Sequence, residues 1–276
     1  MAIDYILASN YYKRSYCKRS LDMSPQIPNY LHMFDIISQP ILPIITLGLI
    51  WIGASRMDGN ALARYLTATA LSAVLIVWAA LAYYLGSANA YFLNSETAPP
   101  TLMLGLLVPL IIAALAFVIT GIGKLALAIP LPLLVAAQVF RVEGGIFLIL
   151  WADGRLPWQF AMPAGIGDVA TAFLAIIVAI QLAKQTTGAN RSAFVWNLFG
   201  VADLVVALAM GALTSPGRAH LFSLDAPNLL VSSYPLVMIP TFAVPLALIL
   251  HGIVLWRLRS NVPTGIALRA TLLPTR

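Results

Sequence analysis

Residues 138–168 read QVFRVEGGIFLILWADGRLPWQFAMPAGIGD, and this stretch decides the fold because it places charged side chains inside apolar sequence. Arg141 and Glu143 lie near the middle of the apolar run Leu131–Ala152. A run of about 20 apolar residues is long enough to cross the ~30 Å hydrocarbon core of a membrane as an α-helix. The stretch therefore predicts a membrane-spanning helix that carries charges at mid-bilayer.

The composition of the whole chain is that of a membrane protein. Hydrophobic residues make up 61% of the 276 positions and charged residues only 9%, against roughly 25% charged residues in soluble domains. Cys17 is the single cysteine, which excludes an intrachain disulfide and a cysteine metal cluster. No contiguous basic face is present, so nucleic-acid binding is not indicated. The lipid bilayer is the expected partner.

Seven apolar runs predict an all-α bundle of about seven transmembrane helices that forms one membrane domain over residues 38–258. Residues 1–37 are predicted to form a polar and aromatic tail, and residues 259–276 a C-terminal tail. Pro240 and Pro245 should kink the last helix, because proline removes backbone hydrogen bonds. The runs are Ile37–Ser55, Tyr65–Gly86, Thr101–Gly121, Leu131–Ala152, Ala164–Lys184, Ser192–Leu213 and Pro235–Leu258.

Lysine and arginine are distributed unequally over the two sides of this predicted topology. One side of the predicted bundle, apart from the N-terminal tail, carries only Arg155 and Arg218, whereas the opposite side carries most of the basic residues. The positive-inside rule therefore places the C-terminus in the cytoplasm and the N-terminus outside. The basic cluster between Lys13 and Arg19 conflicts with this orientation. It lies too far from the first span to dominate, or it belongs to an eighth membrane contact. The basic side collects Arg56, Arg64, Lys124, Lys184, Arg191, Arg257, Arg259, Arg269 and Arg276.

Arg141 needs an acidic partner, because a charged group at mid-bilayer costs roughly 2.5–3.5 kcal/mol on insertion scales. At a rise of about 1.5 Å per residue, Arg141 and Asp203 lie at similar depths in their predicted helices, so we expect them to pair. Asp168 lies about four residues from the outer end of the fifth predicted span. We expect it to cap that helix or to meet Arg155. Glu143 is left without an assigned partner.

The pattern Gly165-x-x-Asp168 recurs as Gly200-x-x-Asp203, with an offset of 35 residues. A glycine three residues before each aspartate lies on the same helix face as the acid. Small residues on such a face let a neighbouring backbone approach closely. We therefore expect close packing of the fifth and sixth helices against their neighbours.

Two interpretations fit these buried charges. In the first, Arg141, Glu143, Asp168 and Asp203 bind a small solute or a proton on a transport pathway, with His251 as a secondary site. In the second, the same groups only clamp three helices together. An accessory subunit of a larger membrane complex and an enzyme acting on a lipid-soluble substrate are the alternative functions. The three histidines are too scattered to predict a metal site, and no cofactor is indicated.

The letters QxFR at 138–141, GGxFL at 144–148 and GxLPxxFAxPAGxGD at 154–168 resemble a pattern in bacterial polytopic membrane proteins of unassigned function. The resemblance implies only that the stretch from Arg141 to Asp168 belongs together. It brings no activity with it. Separately, we expect the protein to lie in a bacterial inner membrane.

Overall fold

The computed structural model of the chain describes residues 25–93, 101–119 and 122–260. The outer parts of the two predicted tails, residues 1–24 and 261–276, lie outside these ranges. The described ranges are helical, with turns between the helices and no β-strand. The helices are α1 Asn29–Arg56, α2 Ala61–Ser87, α3 Thr101–Ile119, α4 Ile122–Ala128, α5 Leu131–Ala152, α6 Trp158–Ala183, α7 Ala189–Thr214 and α8 Ile239–Arg259.

The prediction of an all-α membrane bundle is confirmed. Among the described residues, six helices are long and apolar enough to cross a membrane. The third predicted span is instead a bent pair, α3 and α4, whose axes differ by 93°. Counting this pair as one span gives seven.

Successive long helices alternate in direction, so the connections gather at two ends of the bundle. At the first, which we call the basic end, Arg257 near the end of α8 donates a hydrogen bond to the carbonyl of Leu127 in α4. At the second, the loop end, Leu31 of α1 packs in one buried cluster with Leu150, Leu156 and others. The candidate site residues Arg141, Glu143, Asp168 and Asp203 lie between these two ends.

Four helices begin earlier than the hydropathy pattern predicted, and the difference is largest for α1 and α6. Helix α1 begins at Asn29 rather than Ile37, directly after Pro28. Helix α6 begins at Trp158 rather than Ala164, directly after Pro157. Proline is well tolerated just before and within the first turns of a helix, because the N–H groups there have no intrahelical acceptor. The proline-rich turn therefore starts α6 instead of preceding it.

Helix α5 departs from α-helical geometry at mid-length, and α8 departs from it over its first five residues. In α5, residues Ala137–Gly144 form a 3₁₀-helix between two α-helical segments. In α8, the π-helical segment Ile239–Ala243 precedes the α-helix Val244–Arg259, at the prolines that predicted a kink. Such mid-helix irregularities often accompany functional sites. Here the 3₁₀ segment carries Arg141.

Candidate functional site

Arg141 of α5 lies between two aspartates on the neighbouring helices. Its Nε donates to Asp168 Oδ1 of α6 at 2.7 Å, and its Nη2 donates to Asp203 Oδ2 of α7. The side chain of Arg141 is only 1% exposed. We call this group the Arg141 cluster; it joins three helices through one guanidinium.

The expected pairing of Arg141 with Asp203 is present, but the expectation for Asp168 was wrong. Asp168 neither caps its helix nor meets Arg155, which instead donates to Asp153 at 2.6 Å. The reason is the early start of α6 at Trp158. Asp168 consequently lies about 15 Å along the helix, at the depth of Arg141.

The remaining nitrogen of the guanidinium is also engaged. Nη1 donates to the carbonyl of Gly200 at 3.1 Å and lies 3.3 Å from His251 Nε2. Since arginine can only donate, this histidine nitrogen must accept. His251 Nδ1 then carries the hydrogen and donates to Asn197 Oδ1 at 2.8 Å. His251 is thus a neutral positioning residue for Arg141.

Neighbouring helices approach Gly165 and Gly200 closely, but mainly through side chains rather than through the expected backbone contact. A Cβ atom at Gly165 would lie 2.7 Å from Leu148 of α5. A Cβ atom at Gly200 would lie 2.6 Å from the His251 ring of α8. Both distances are shorter than real Cβ contacts, so a larger residue at either position would make the facing side chain shift.

Two further glycines border the cluster, and the sequence analysis did not assign them a role. A Cβ atom at Gly144 would overlap the side chain of Asp168, and one at Gly167 would overlap the carboxylate of Asp203. Each glycine leaves the space that one carboxylate occupies. In the sequence, these roles are indicated only by the Gly-Gly pair at 144–145 and by the glycine directly before Asp168.

Glu143 lies beside the cluster without joining it. Its Oε1 is buried and has no hydrogen-bond partner among the described residues. A small cavity of about 20 Å³ adjoins Arg141, Glu143, Gly144 and Asp168. The walls of this cavity are mostly apolar, and Arg141, Glu143 and Asp168 are the charged residues that line it. Glu143 therefore shares a small cavity with two members of the Arg141 cluster.

A second, larger cavity of about 500 Å³ begins at the cluster, and we call it the chamber. Its walls come from α3, α5, α6, α7, α8 and the loop after α7, and they are mostly apolar. Asp168 and Arg218 are the charged side chains among its described lining residues. Arg218 belongs to the loop end, so the chamber reaches from that end to the buried Asp168.

A further buried acid, Asp35 of α1, was missed at the sequence level because it fell within the predicted N-terminal tail. It is 7% exposed and accepts a hydrogen bond from the Tyr234 hydroxyl. Burial, and then the hydrogen bond to Asp35, raise the pKa of Tyr234 above its ordinary range. Asp35 Oδ1 has no partner among the described residues. This contact ties α1 to the segment that leads into α8.

At the loop end, Asp153 is exposed and makes surface contacts only. Hydrogen bonds from Arg155 and then from Tyr30 hold the pKa of Asp153 below its ordinary value. Because Asp153 is exposed and lies outside the Arg141 cluster, it is a suitable control for substitutions of the buried acids in that cluster.

Across residues 25–93, 101–119 and 122–260, no three His, Cys, Asp or Glu side chains are arranged to hold a metal ion.

These features define the class of protein: a polytopic helical membrane protein with an arginine buried between two aspartates beside an apolar cavity. The chain belongs to the family described as "Domain of unknown function (DUF8737)", whose profile matches residues 98–259. This match spans α3 to α8 and therefore the whole Arg141 cluster. No curated protein and no solved structure matches the chain.

Proposed function

We propose that this protein binds a small solute in the chamber and transports it across the membrane together with, or in exchange for, a proton held by the carboxyl groups around Arg141. The observation that supports the proposal is the position of Asp168. Asp168 is one of the residues that line the chamber, and its Oδ1 accepts a hydrogen bond from Arg141. A solute in the chamber therefore changes the surroundings of the buried cluster directly.

The charge balance around Arg141 supports a proton in this role. One guanidinium faces Asp168 and Asp203, and Glu143 lines the same small cavity as Arg141 and Asp168. None of these carboxyl groups forms an ion pair with a second Lys or Arg in the described part of the chain. Uncompensated charge is costly in a low-dielectric interior. Bound protons or a cationic solute would neutralise the surplus carboxylates.

The distribution of basic residues supports the orientation that accompanies this proposal. We place the basic end in the cytoplasm of a bacterial inner membrane and the loop end outside, because positive residues flank cytoplasmic ends. The chamber then reaches the outer side through the loop that carries Arg218. Solute would enter from that side and meet Asp168 near mid-membrane.

The proposal is tested by proton flux into proteoliposomes that contain the purified full chain and a trapped pH-sensitive dye. A potassium diffusion potential drives the flux, which is measured without solute and with each of several small apolar solutes outside, because a coupled transporter moves protons while its solute moves. We expect acidification above that of protein-free liposomes, and a fall to the protein-free level for Asp168→Asn and for Glu143→Gln. Asp153→Asn changes an exposed acid and should leave the flux unchanged.

Flux that survives Asp168→Asn in a correctly inserted protein would contradict the proposal. Wild-type liposomes that acidify no faster than empty ones would also contradict it. If, in addition, other subunits co-purify in fixed stoichiometry, the accessory-subunit function would replace transport.

A further inference from the structure

We infer that the solute is a hydrophobic amine, whose protonated nitrogen binds Asp168 while its apolar body fills the chamber. This inference rests on the proposed function and specifies its substrate class. It follows from three features. Arg141 has no free hydrogen-bond donor, Asp168 has a free acceptor in a negatively charged setting, and the chamber walls are mostly apolar.

The cluster offers no donor to an anionic solute. All three guanidinium nitrogens of Arg141 contact groups of the protein itself, namely Asp168, Asp203, and Gly200 with His251. The Arg141 side chain is 1% exposed, so it is also shielded from the chamber. An anion placed here would lack a hydrogen-bond donor and would face two or three carboxyl groups. Arg141 therefore organises the acids and does not bind an anion.

The cluster does offer an acceptor. The side chain of Asp168 is 12% exposed, and Arg141 occupies only its Oδ1. A group that binds the remaining Asp168 oxygen must donate a hydrogen. An ammonium group donates and also offsets the surplus negative charge, which a hydroxyl group cannot do. Charge-assisted hydrogen bonds are roughly twice as strong as neutral ones.

The chamber walls fit an apolar body next to this head group. Leu106, Phe147, Phe160 and Leu208 are among the lining residues, and the two phenylalanine rings pack edge to face with centroids 5.0 Å apart. A volume of about 500 Å³ lies within the range of small-molecule sites. Arg218 at the loop end is exposed, so water and salt screen its repulsion of a cation.

Three probes with one phenylbutyl body separate the head groups: 4-phenylbutylamine, 4-phenyl-1-butanol and 4-phenylbutanoate. Binding to the purified full chain in detergent is measured by calorimetry. We expect the amine to bind about 10-fold or more tightly than the alcohol, since a charge-assisted hydrogen bond replaces a neutral one. The carboxylate should not bind measurably.

Two variants, each with a matched control variant, test whether the amine binds in the chamber. Asp168→Asn should remove the preference for the amine, whereas Asp153→Asn should keep it. Ala212→Phe fills the chamber away from the cluster and should abolish amine binding even if Asp168→Asn does not fold. Val205→Phe, on the same helix but 57% exposed and not among the residues that line the chamber, is its control and should bind normally.

Equal affinities for amine and alcohol, or tighter binding of the carboxylate, would overturn the inference. Amine binding that Ala212→Phe leaves intact would overturn it as well. Repeating the measurement in nanodiscs with and without phosphatidylethanolamine distinguishes a lipid amine, which would displace the probe, from a free amine.

The two proposals fail in different ways. Proton flux without any preference among the three probes would overturn the amine class and leave transport standing. Selective amine binding by a protein that moves no protons would overturn transport and leave the amine class standing.

Discussion

Replacing Arg141 with glutamine should destabilise the protein by about 3–5 kcal/mol, because it leaves two buried carboxylates without their counter-charge. Arg141 also contributes four hydrogen-bonded contacts, to Asp168, Asp203, Gly200 and His251. At roughly 0.6 kcal/mol for a hydrogen bond inside a membrane protein, these account for only about 2 kcal/mol. Uncompensated charge therefore accounts for the remaining loss of about 1–3 kcal/mol.

A triple variant separates the two contributions. In Arg141→Gln, Asp168→Asn, Asp203→Asn, the hydrogen bonds are weakened but no unpaired charge remains. We expect it to be at least about 1 kcal/mol more stable than Arg141→Gln alone, because only the hydrogen-bond loss persists. Unfolding of the purified proteins in mixed micelles, titrated with dodecyl sulfate and followed by tryptophan fluorescence, measures both differences.

Two results would refute this reasoning. If Arg141→Gln unfolds within about 0.5 kcal/mol of wild type, a typical spread for inconsequential substitutions, the guanidinium does not hold the buried acids in place. If the triple variant is no more stable than Arg141→Gln, charge compensation is not what the arginine supplies.

Two other substitutions test the packing around the buried acids. Gly167→Ala should cost about 1–3 kcal/mol, because the added methyl group overlaps the Asp203 carboxylate; Gly252→Ala, with nothing within 4 Å of the added atom, should be neutral or slightly stabilising. Equal effects in the same unfolding titration would contradict the assignment of Gly167. Tyr234→Phe should cost about 1–3 kcal/mol, because it leaves buried Asp35 without its donor, and an unchanged unfolding midpoint would show that this contact contributes nothing.

The bundle and its central ion pair could be predicted from the sequence because both depend on local quantities. The lengths of the apolar runs predicted the membrane-spanning helices. Counting residues from the basic end of each helix placed Arg141 and Asp203 at the same depth. The glycine three residues before each aspartate likewise predicted close helix packing. These arguments need only the position of a residue within its own helix.

Asp168 and the chamber could not be predicted in the same way. The depth of Asp168 depends on where α6 begins, and hydropathy alone does not show that the turn at Pro157 already belongs to the helix start. The roles of Gly144 and Gly167 depend on side chains from other helices. The chamber is enclosed by five helices and a loop, so its existence is a property of tertiary packing.

The central claim is that the carboxyl groups around Arg141 hold an exchangeable proton rather than acting as a static clamp. Isotope-edited infrared spectroscopy tests this directly, because the chain contains only two glutamates, Glu96 and Glu143. In protein labelled with ¹³C-glutamate, we predict a protonated carboxyl band at neutral pH that is lost in Glu143→Gln and shifts when 4-phenylbutylamine is added. A spectrum with only ionised glutamate, or a band that Glu143→Gln leaves intact, would contradict the account.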